Sequence, residues 1–270
     1  MDRAQTALIE KFTAACQADN RVVAAFLGGS FVSGTADEYS DLDLYLVIRE
    51  DDYQGFLNNR QEFMRQLGTP VFAEDFSDFG FDMVPFIYAD GVSGELAMAP
   101  ESNFLHIHGG PYQVLVDKTG LLNGIVFPYF APGDDARRRE VQRALVWFWR
   151  ELLYAAKSLS RGRLWSTASA VEVLRRHVKT LLEHHYNRAA VPGAWTPLEA
   201  RIPSEDRIAV ESTYCRLEPA DLARALDALI VAYRRVAPAA ADAVGLRYPD
   251  ALDRAVSSIV VETIGKGGIT

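Results

Sequence analysis

Two aspartates at the start of an apolar run constrain this chain more than any other feature. Asp41 and Asp43 lie two residues apart, and apolar side chains dominate from Leu44 to Ile48. In a β-strand, residues i and i+2 point to the same face of the sheet, so the two carboxylates stand side by side. Two unpaired carboxylates repel each other, and a divalent cation between them removes that cost. Oxygen ligands of this kind suit Mg²⁺, so the sequence predicts a strand that carries a magnesium site.

A glycine-rich turn lies a short distance upstream of these aspartates. The apolar run from Val22 to Leu27 predicts a strand, and Gly28, Gly29 and Ser30 follow it directly. Glycines permit a tight turn, and the start of a helical segment after that turn offers backbone N–H groups to an anion. We therefore predict a phosphate-binding turn beside the metal-binding strand.

The hydrophobic pattern divides the chain into two parts and predicts an α+β protein. Residues 1–128 read as a mixed β-sheet with flanking helices, and residues 129–270 read as an α-helical bundle. The first part combines helices at 2–18 and 50–67, strands at 22–27, 43–48, 83–88, 95–99, 106–108 and 112–116, and a loop at 71–81. The direction of the second strand relative to the first stays open. The second part contains helices at 134–159, 165–188, 218–233 and 249–264, with an irregular connection around Pro192, Pro197 and Pro203.

The charge and composition of the chain restrict the kinds of molecule that it is expected to bind. The net charge is −8, which argues against a nucleic-acid partner because such binding rests on neutralising phosphates. A small molecule, and a cationic one in particular, is the better expectation. The longest apolar runs are far shorter than the roughly 20 residues that a membrane span needs, and the N-terminus lacks the pattern of a secretory signal. We expect a cytoplasmic protein.

The motifs together resemble a known signature. Gly29-Ser30, Gly34 and Ser40-Asp41-Leu42-Asp43-Leu44 form the pattern GSxxxGxxxxxSDLDL, which resembles that of the DNA polymerase β-like nucleotidyltransferase superfamily. These enzymes transfer a nucleoside monophosphate from a nucleoside triphosphate to an acceptor hydroxyl and release pyrophosphate. The resemblance implies Asp41 and Asp43 as Mg²⁺ ligands, and Gly29, Ser30 and Ser40 as nucleotide-binding residues.

A third acid is expected close to the aspartate pair, either as a metal ligand or as the base that takes the acceptor's proton. The candidates are Asp75, Asp78, Asp82, Asp90 and Glu95. Glu95 opens a strand after Gly94 and places one carboxylate on an otherwise apolar run, which is costly without a role or a partner. Glu95 is therefore the first choice, and Asp82 is the second.

Longer stretches resemble the antibiotic-modifying nucleotidyltransferases. The matching stretches are GGSFVSGTADEYSDLDLYLV, FIYADGVSGELAMAPES, VLVDKTG and LLYAAKSLSRGRLWSTASAVEVLR. The resemblance is closest to the two-domain lincosamide nucleotidyltransferases, with the aminoglycoside adenylyltransferases more distant. It implies ATP as the co-substrate, a small-molecule acceptor in the cleft between two domains, Glu95 as a metal ligand and general base, and a homodimer.

Four interpretations stay open at this point. Lys157 follows Arg150 and Tyr154 on a helical stripe, where it is either solvated or reaches the triphosphate as a point charge. His106 and His108 would share a strand face, where they line the acceptor pocket or are structural. The acceptor could also be a protein side chain or a tRNA end, and the chain could be a nucleotide-binding regulator without catalysis.

Overall fold

The chain forms two compact units. The computed structural model describes residues 3–77, 80–128, 133–186 and 198–266. Described residues up to Pro128 form the first unit, and those from Gly133 onward belong to the second. The first unit combines strands and helices, whereas only helices are found among the described elements of the second. The α+β class predicted from the sequence is confirmed. None of the described helices is long and apolar enough to cross a membrane.

A mixed sheet is the centre of the first unit. Within the described residues its six strands are β1 (Val22–Leu27), β2 (Leu42–Ile48), β3 (Pro70–Ala73), β4 (Asp82–Tyr88), β5 (Ser93–Pro100) and β6 (Gln113–Asp117). Their order across the sheet is β3-β4-β5-β2-β1-β6. Strand β2 runs antiparallel to β1 and parallel to β5, which settles the direction that the sequence left open. The parallel pair β2–β5 therefore lies in the middle of the sheet.

The two faces of this sheet are covered differently. One face packs against α1 (Arg3–Ala18), α3 (Tyr53–Asn58) and α4 (Arg60–Leu67), with Leu44 and Leu46 of β2 in that core. The other face is covered by the chain after β5, where Phe104 and Phe127 pack on β1 and β2. Side chains alternate along a strand, so Val47 and Asp43 share this second face. Helix α2 (Gly29–Ser33) connects β1 with the loop before β2.

The second unit is held together by long helices. They are α5 (Asp134–Leu159), α6 (Leu164–Tyr186), α9 (Pro219–Ala243) and α10 (Asp250–Lys266), with the short α7 (Leu198–Arg201) and α8 (Ser204–Glu211) between them. Phe148 of α5 stacks on Tyr233 of α9 with ring centroids 4.0 Å apart. The Tyr233 hydroxyl donates a hydrogen bond to the carbonyl oxygen of Leu145 at 2.8 Å, so the buried ring is also satisfied as a polar group.

Two predictions about the first unit need correction. The helix predicted over residues 50–67 is interrupted, because Asn59 adopts φ −118° and ψ 10° between α3 and α4. The Asn59 side chain also donates a hydrogen bond to the carbonyl oxygen of Gly55 at 2.9 Å, which competes with helix continuation. Part of the loop predicted over residues 71–81 is wrong as well, since β3 extends the sheet there and pairs with β4.

Two further predictions about secondary structure are wrong. Residues 106–108 form no strand: they lie in the irregular chain between β5 and β6. The irregular connection predicted around Pro192, Pro197 and Pro203 contains α7 and α8, and α8 begins directly after Pro203. A proline is tolerated at the start of a helix because it lacks a backbone N–H, and the first N–H groups of a helix form no helical hydrogen bonds. Pro192 and Pro197 lie outside the described residues.

Candidate active site

The site begins with two carboxylates on the central parallel strands. Asp43 of β2 and Glu95 of β5 are paired in the register of these strands. Adjacent strands lie about 4.8 Å apart, so the two side chains start from neighbouring positions on the same face. Asp43 is half-buried and Glu95 is exposed. The pairing places the predicted second metal ligand beside the predicted base.

The other aspartate of the predicted pair is held by a serine. Asp41 precedes β2, and the Ser93 hydroxyl at the start of β5 donates a hydrogen bond to its Oδ1. Gly94 makes this close approach possible, because a Cβ built on it would lie 2.8 Å from Phe86 Cζ and 2.9 Å from the nitrogen of Leu42. Sequence reasoning missed Ser93. Its position directly before Gly94, on the strand that carries the third acid, was the available signal.

The glycine turn after β1 lies against Asp43. Gly29 has φ +63°, which favours glycine, and a Cβ built on it would overlap Asp43 Oδ2 and lie 2.8 Å from Asp43 Cγ. The backbone nitrogen of Gly28 donates a hydrogen bond to the carbonyl oxygen of Asp43 at 3.0 Å. Ser30 follows as the second residue of α2 and is half-buried. The structure thus brings the predicted phosphate-binding turn and the aspartate strand into contact.

The electrostatics of the site favour a cation. Burial, together with the nearby carboxylates of Glu95 and Asp41, raises the pKa of Asp43 from 3.8 to about 6. Across the described chain, ion pairs with Lys or Arg involve none of these three acids. In the described part of the chain, their negative charge is therefore not neutralised by a basic side chain, which favours a bound cation.

The donor set fits Mg²⁺. It is composed of carboxylate oxygens, which this ion prefers. Among the described residues, no group of three or more His, Cys, Asp or Glu side chains is placed to hold a metal ion. Mg²⁺ commonly takes one or two carboxylates from a protein and completes its shell with water and substrate phosphates, so Asp41 and Asp43 fit that number.

The carboxylates open into a cavity of about 310 Å³. It is lined by Asp41, Asp43, Phe72, Pro85, Phe86, Ile87, Ser93, Gly94 and Glu95. The two histidines of the predicted acceptor pocket are not among the lining residues. His108 is buried against Tyr45 with ring centroids 4.6 Å apart, and its Nε2 lies 3.0 Å from the carbonyl oxygen of Pro111. Burial lowers the pKa of His108, which is consistent with a structural ring.

Asp82, the second choice for the third acid, lies elsewhere. It pairs with Met98 at the other end of β5, and its carboxylate accepts hydrogen bonds of 2.6 Å from the hydroxyls of Tyr53 and Ser77. Tyr53 packs against the core on the helix-covered face, which is opposite to the face of Glu95. The geometry therefore brings Glu95, and not Asp82, to the aspartate pair.

The remaining candidate acids have other partners or lie outside the description. Asp75 forms an ion pair with Arg60 at 2.7 Å, and Asp90 accepts a hydrogen bond from the nitrogen of Val92 at 3.3 Å. Asp78 lies outside the described residues.

Two further predicted nucleotide-binding residues are Ser40, in the turn before Asp41, and Lys157, on a helix of the second unit. The Ser40 hydroxyl donates to Asp37 Oδ1 and accepts from the nitrogen of Asp37, both at 2.9 Å, so it stabilises the turn before Asp41. Lys157 is exposed in the last turn of α5, in the second unit. Direct binding of nucleotide by either residue stays a prediction.

This fold and site define a nucleotidyltransferase: a mixed sheet carries an aspartate and a glutamate on its central parallel strands, with a glycine–serine turn against the aspartate. The chain belongs to the streptomycin adenylyltransferase family, whose sequence model matches residues 2–262. The resemblance to antibiotic nucleotidyltransferases is thereby confirmed, and the chain is an enzyme of this class.

Two solved structures are similar to this chain. One is an aminoglycoside 6-adenyltransferase from Bacillus subtilis, at 16% identity over 97% of this chain and 99% of that chain, with a TM-score of 0.44. The other is a nucleotidyltransferase-like protein from Exiguobacterium sibiricum, at 10% identity over 89% of this chain and 78% of that chain, with a TM-score of 0.37. A search of the curated proteins found no significant match.

Proposed function

We propose that this enzyme transfers AMP from ATP to a hydroxyl group of an aminoglycoside and releases pyrophosphate. The observation that carries the proposal is the pairing of Asp43 with Glu95 on β2 and β5, with Gly29 packed against Asp43. One small region then contains groups that can bind a cation, bind phosphates and accept a proton. The family, which is described as streptomycin adenylyltransferase, supports the adenylyl group and the class of acceptor.

The nucleotide would bind between α2 and the aspartate pair. Backbone N–H groups of Gly29 and Ser30, at the start of α2, would donate hydrogen bonds to the β- and γ-phosphates. Asp41 and Asp43 would hold Mg²⁺, with the Ser93 hydroxyl orienting Asp41. Bound Mg²⁺ supplies charge neutralisation at the α-phosphate and at the departing pyrophosphate.

Glu95 would serve as the general base. Its carboxylate is exposed and borders the cavity, so an acceptor hydroxyl can reach it. The hydroxyl oxygen forms a bond to the α-phosphorus while the bond to the pyrophosphate oxygen breaks, and the hydroxyl proton moves to Glu95. Glu95 can also contribute an oxygen to the metal site, as the third acid of the pattern.

Two further residues have roles in this proposal. Ser40 would keep the turn before Asp41 in place through its hydrogen bonds to Asp37. Lys157 would provide a point charge for the triphosphate. We further propose that the enzyme is a homodimer and that the boundary between its two domains lies between residues 128 and 129.

Charge favours an aminoglycoside over a lincosamide as the acceptor. An aminoglycoside carries several ammonium or guanidinium groups, and the site presents Asp41, Asp43 and Glu95 without a basic partner in the described chain. The net charge of −8 adds a long-range attraction for such a cation. A lincosamide has fewer cationic groups and is the alternative acceptor.

A direct assay tests the proposed function. The purified chain is incubated with ATP, Mg²⁺ and either streptomycin or lincomycin, while pyrophosphate release and the mass of the antibiotic are followed. We expect pyrophosphate and an AMP adduct of streptomycin. Asp43→Asn should abolish both, whereas Asp51→Asn, which changes an exposed aspartate before α3, should leave both unchanged.

Three results would contradict parts of this proposal. Unchanged turnover in Asp43→Asn would refute the assigned site. An adduct of lincomycin alone would move the acceptor to the lincosamide class. Binding of ATP without an adduct of any antibiotic, tRNA or protein would favour a nucleotide-binding regulator.

A further inference from the structure

The cavity beside Glu95 has an apolar wall that the proposed chemistry leaves unused. Phe72 of β3 and Ile87 of β4 line it, and these side chains are 41% and 43% exposed. Pro85 of β4, which pairs with Glu95, also lines the cavity and is half-buried. Two large apolar side chains are thus exposed together beside three acids. An exposed apolar patch bordered by polar residues is typical of a binding site.

Strand pairing places the wall and the acids on one face. Pro85 pairs with Glu95, and Ile87 pairs with both Phe72 and Ser93. Residues directly opposite each other in an antiparallel pair point to the same side of the sheet. With strands about 4.8 Å apart, the wall extends about 10 Å from Ser93 toward the β3 edge, which matches two sugar rings better than one small ion.

The direction of the reaction assigns this wall to the acceptor. In phosphoryl transfer, the attacking oxygen and the leaving oxygen lie on opposite sides of the phosphorus. The proposed phosphate site follows β1, on one side of β2, whereas β5, β4 and β3 lie on the other side in that order. The leaving pyrophosphate would therefore lie toward β1, and the acceptor would approach from the strands that carry Glu95, Pro85 and Ile87.

We infer that Phe72, Pro85 and Ile87 form the acceptor platform, with Phe72 as a specificity-determining residue. This inference rests on the proposed function. The occupant is a cationic, sugar-like acceptor, since the C–H faces of its rings can pack on the apolar side chains while one of its hydroxyl groups reaches Glu95. An ammonium or guanidinium group over the Phe72 ring would add a cation–π contact.

The test compares substitutions on β3. Phe72→Ala removes the ring, Phe72→Tyr keeps a ring, and Val71→Ala changes an exposed neighbour, 66% accessible, that does not line the cavity. Steady-state kinetics with streptomycin and ATP should give a KM for streptomycin about tenfold higher in Phe72→Ala, which corresponds to about 1.4 kcal/mol. The KM for ATP should stay unchanged, and the values of Phe72→Tyr and Val71→Ala should remain close to wild type. Thermal melting checks that each variant is folded.

Each outcome separates the inference from the proposed function. If wild type adenylylates streptomycin and Phe72→Ala behaves like Val71→Ala, the platform is refuted and the function stands. If the KM for ATP rises with that for streptomycin, the wall belongs to the nucleotide, and the inference is again refuted. If wild type modifies no aminoglycoside and calorimetry detects no streptomycin binding, the proposed acceptor class is wrong, and the inference fails with it.

Discussion

Substitution of Gly29 is the sharpest test of how the phosphate turn and the aspartate strand depend on each other. Gly29 and Gly34 stand at the two ends of α2, and both have positive φ, +63° and +75°. A Cβ in the left-handed region costs roughly 1–2 kcal/mol at either position. Open space surrounds Gly34, with no atom within 4 Å of a built Cβ, whereas at Gly29 the Cβ would overlap Asp43 Oδ2 and lie 2.8 Å from Cγ.

Both alanine variants should therefore carry a similar backbone strain, and they should differ in activity because Gly29 alone of the two contacts Asp43. Gly29→Ala must displace the Asp43 carboxylate, and a misplacement of about 1 Å at a reacting centre can reduce the rate about 100-fold. We expect kcat/KM for pyrophosphate release to fall by about 100-fold in Gly29→Ala and by less than about threefold in Gly34→Ala. Both melting temperatures should fall by roughly 2–8 °C, at about 2–4 °C per kcal/mol.

The measurement is pyrophosphate release with ATP, Mg²⁺ and streptomycin, together with a thermal melt of each variant. Equal activity of Gly29→Ala and Gly34→Ala would refute the reasoning, because contact with Asp43 is the difference between the two positions. A large activity loss in both variants would also refute it, since backbone strain alone would then account for the effect.

Three further predictions, made with four substitutions, test the site. Glu95→Gln should reduce turnover by about 10²–10⁴-fold, the usual contribution of a general base, whereas Asp82→Asn should preserve turnover and lower stability by about 1–3 kcal/mol in melts. In the absence of metal, the pKa of Asp43 is higher in the folded protein than in the unfolded chain, so protonation of Asp43 favours folding. This contribution to the free energy of unfolding is fully present below about pH 4 and is lost as the pH rises through about 6. Asp43→Asn should remove about 3 kcal/mol of this pH dependence in melts with chelator. Ser93→Ala should weaken activation by Mg²⁺ about tenfold in a titration, because Asp41 loses its hydroxyl donor.

Each of these expectations has a result that contradicts it. Equal loss of turnover in Glu95→Gln and Asp82→Asn would mean that the strand pairing does not identify the base. A stability profile between pH 4 and 7 that Asp43→Asn leaves unchanged would mean that Asp43 is solvated in the folded protein. Wild-type Mg²⁺ dependence in Ser93→Ala would mean that Asp41 needs no orientation.

The main local features could be predicted from the sequence because they depend on neighbouring residues. The strands at 22–27 and 83–88 and the long helices of the second unit follow from the spacing of apolar residues. The spacing of Asp41 and Asp43 places both carboxylates on one face of an extended chain, whatever surrounds it. The glycines after β1 indicated a turn, since positive φ is readily available to glycine alone.

Longer-range relationships were decided by the tertiary structure. The sequence ranked Glu95 above Asp82 but left Asp82 open, because both begin apolar runs; the sheet places them on opposite faces and at opposite ends of β5. Ser93 and Phe72 looked like ordinary strand residues until β5 paired with β2 and β3 paired with β4.

The sequence by itself determined the chemistry available to the aspartate strand and the glycine turn beside it. The tertiary structure decided which distant side chains join them: Glu95 beside Asp43, Ser93 on Asp41, and Phe72 on the same face. The physical reason is that side-chain direction along one strand follows from backbone geometry, whereas the register between strands depends on the packing of the whole sheet.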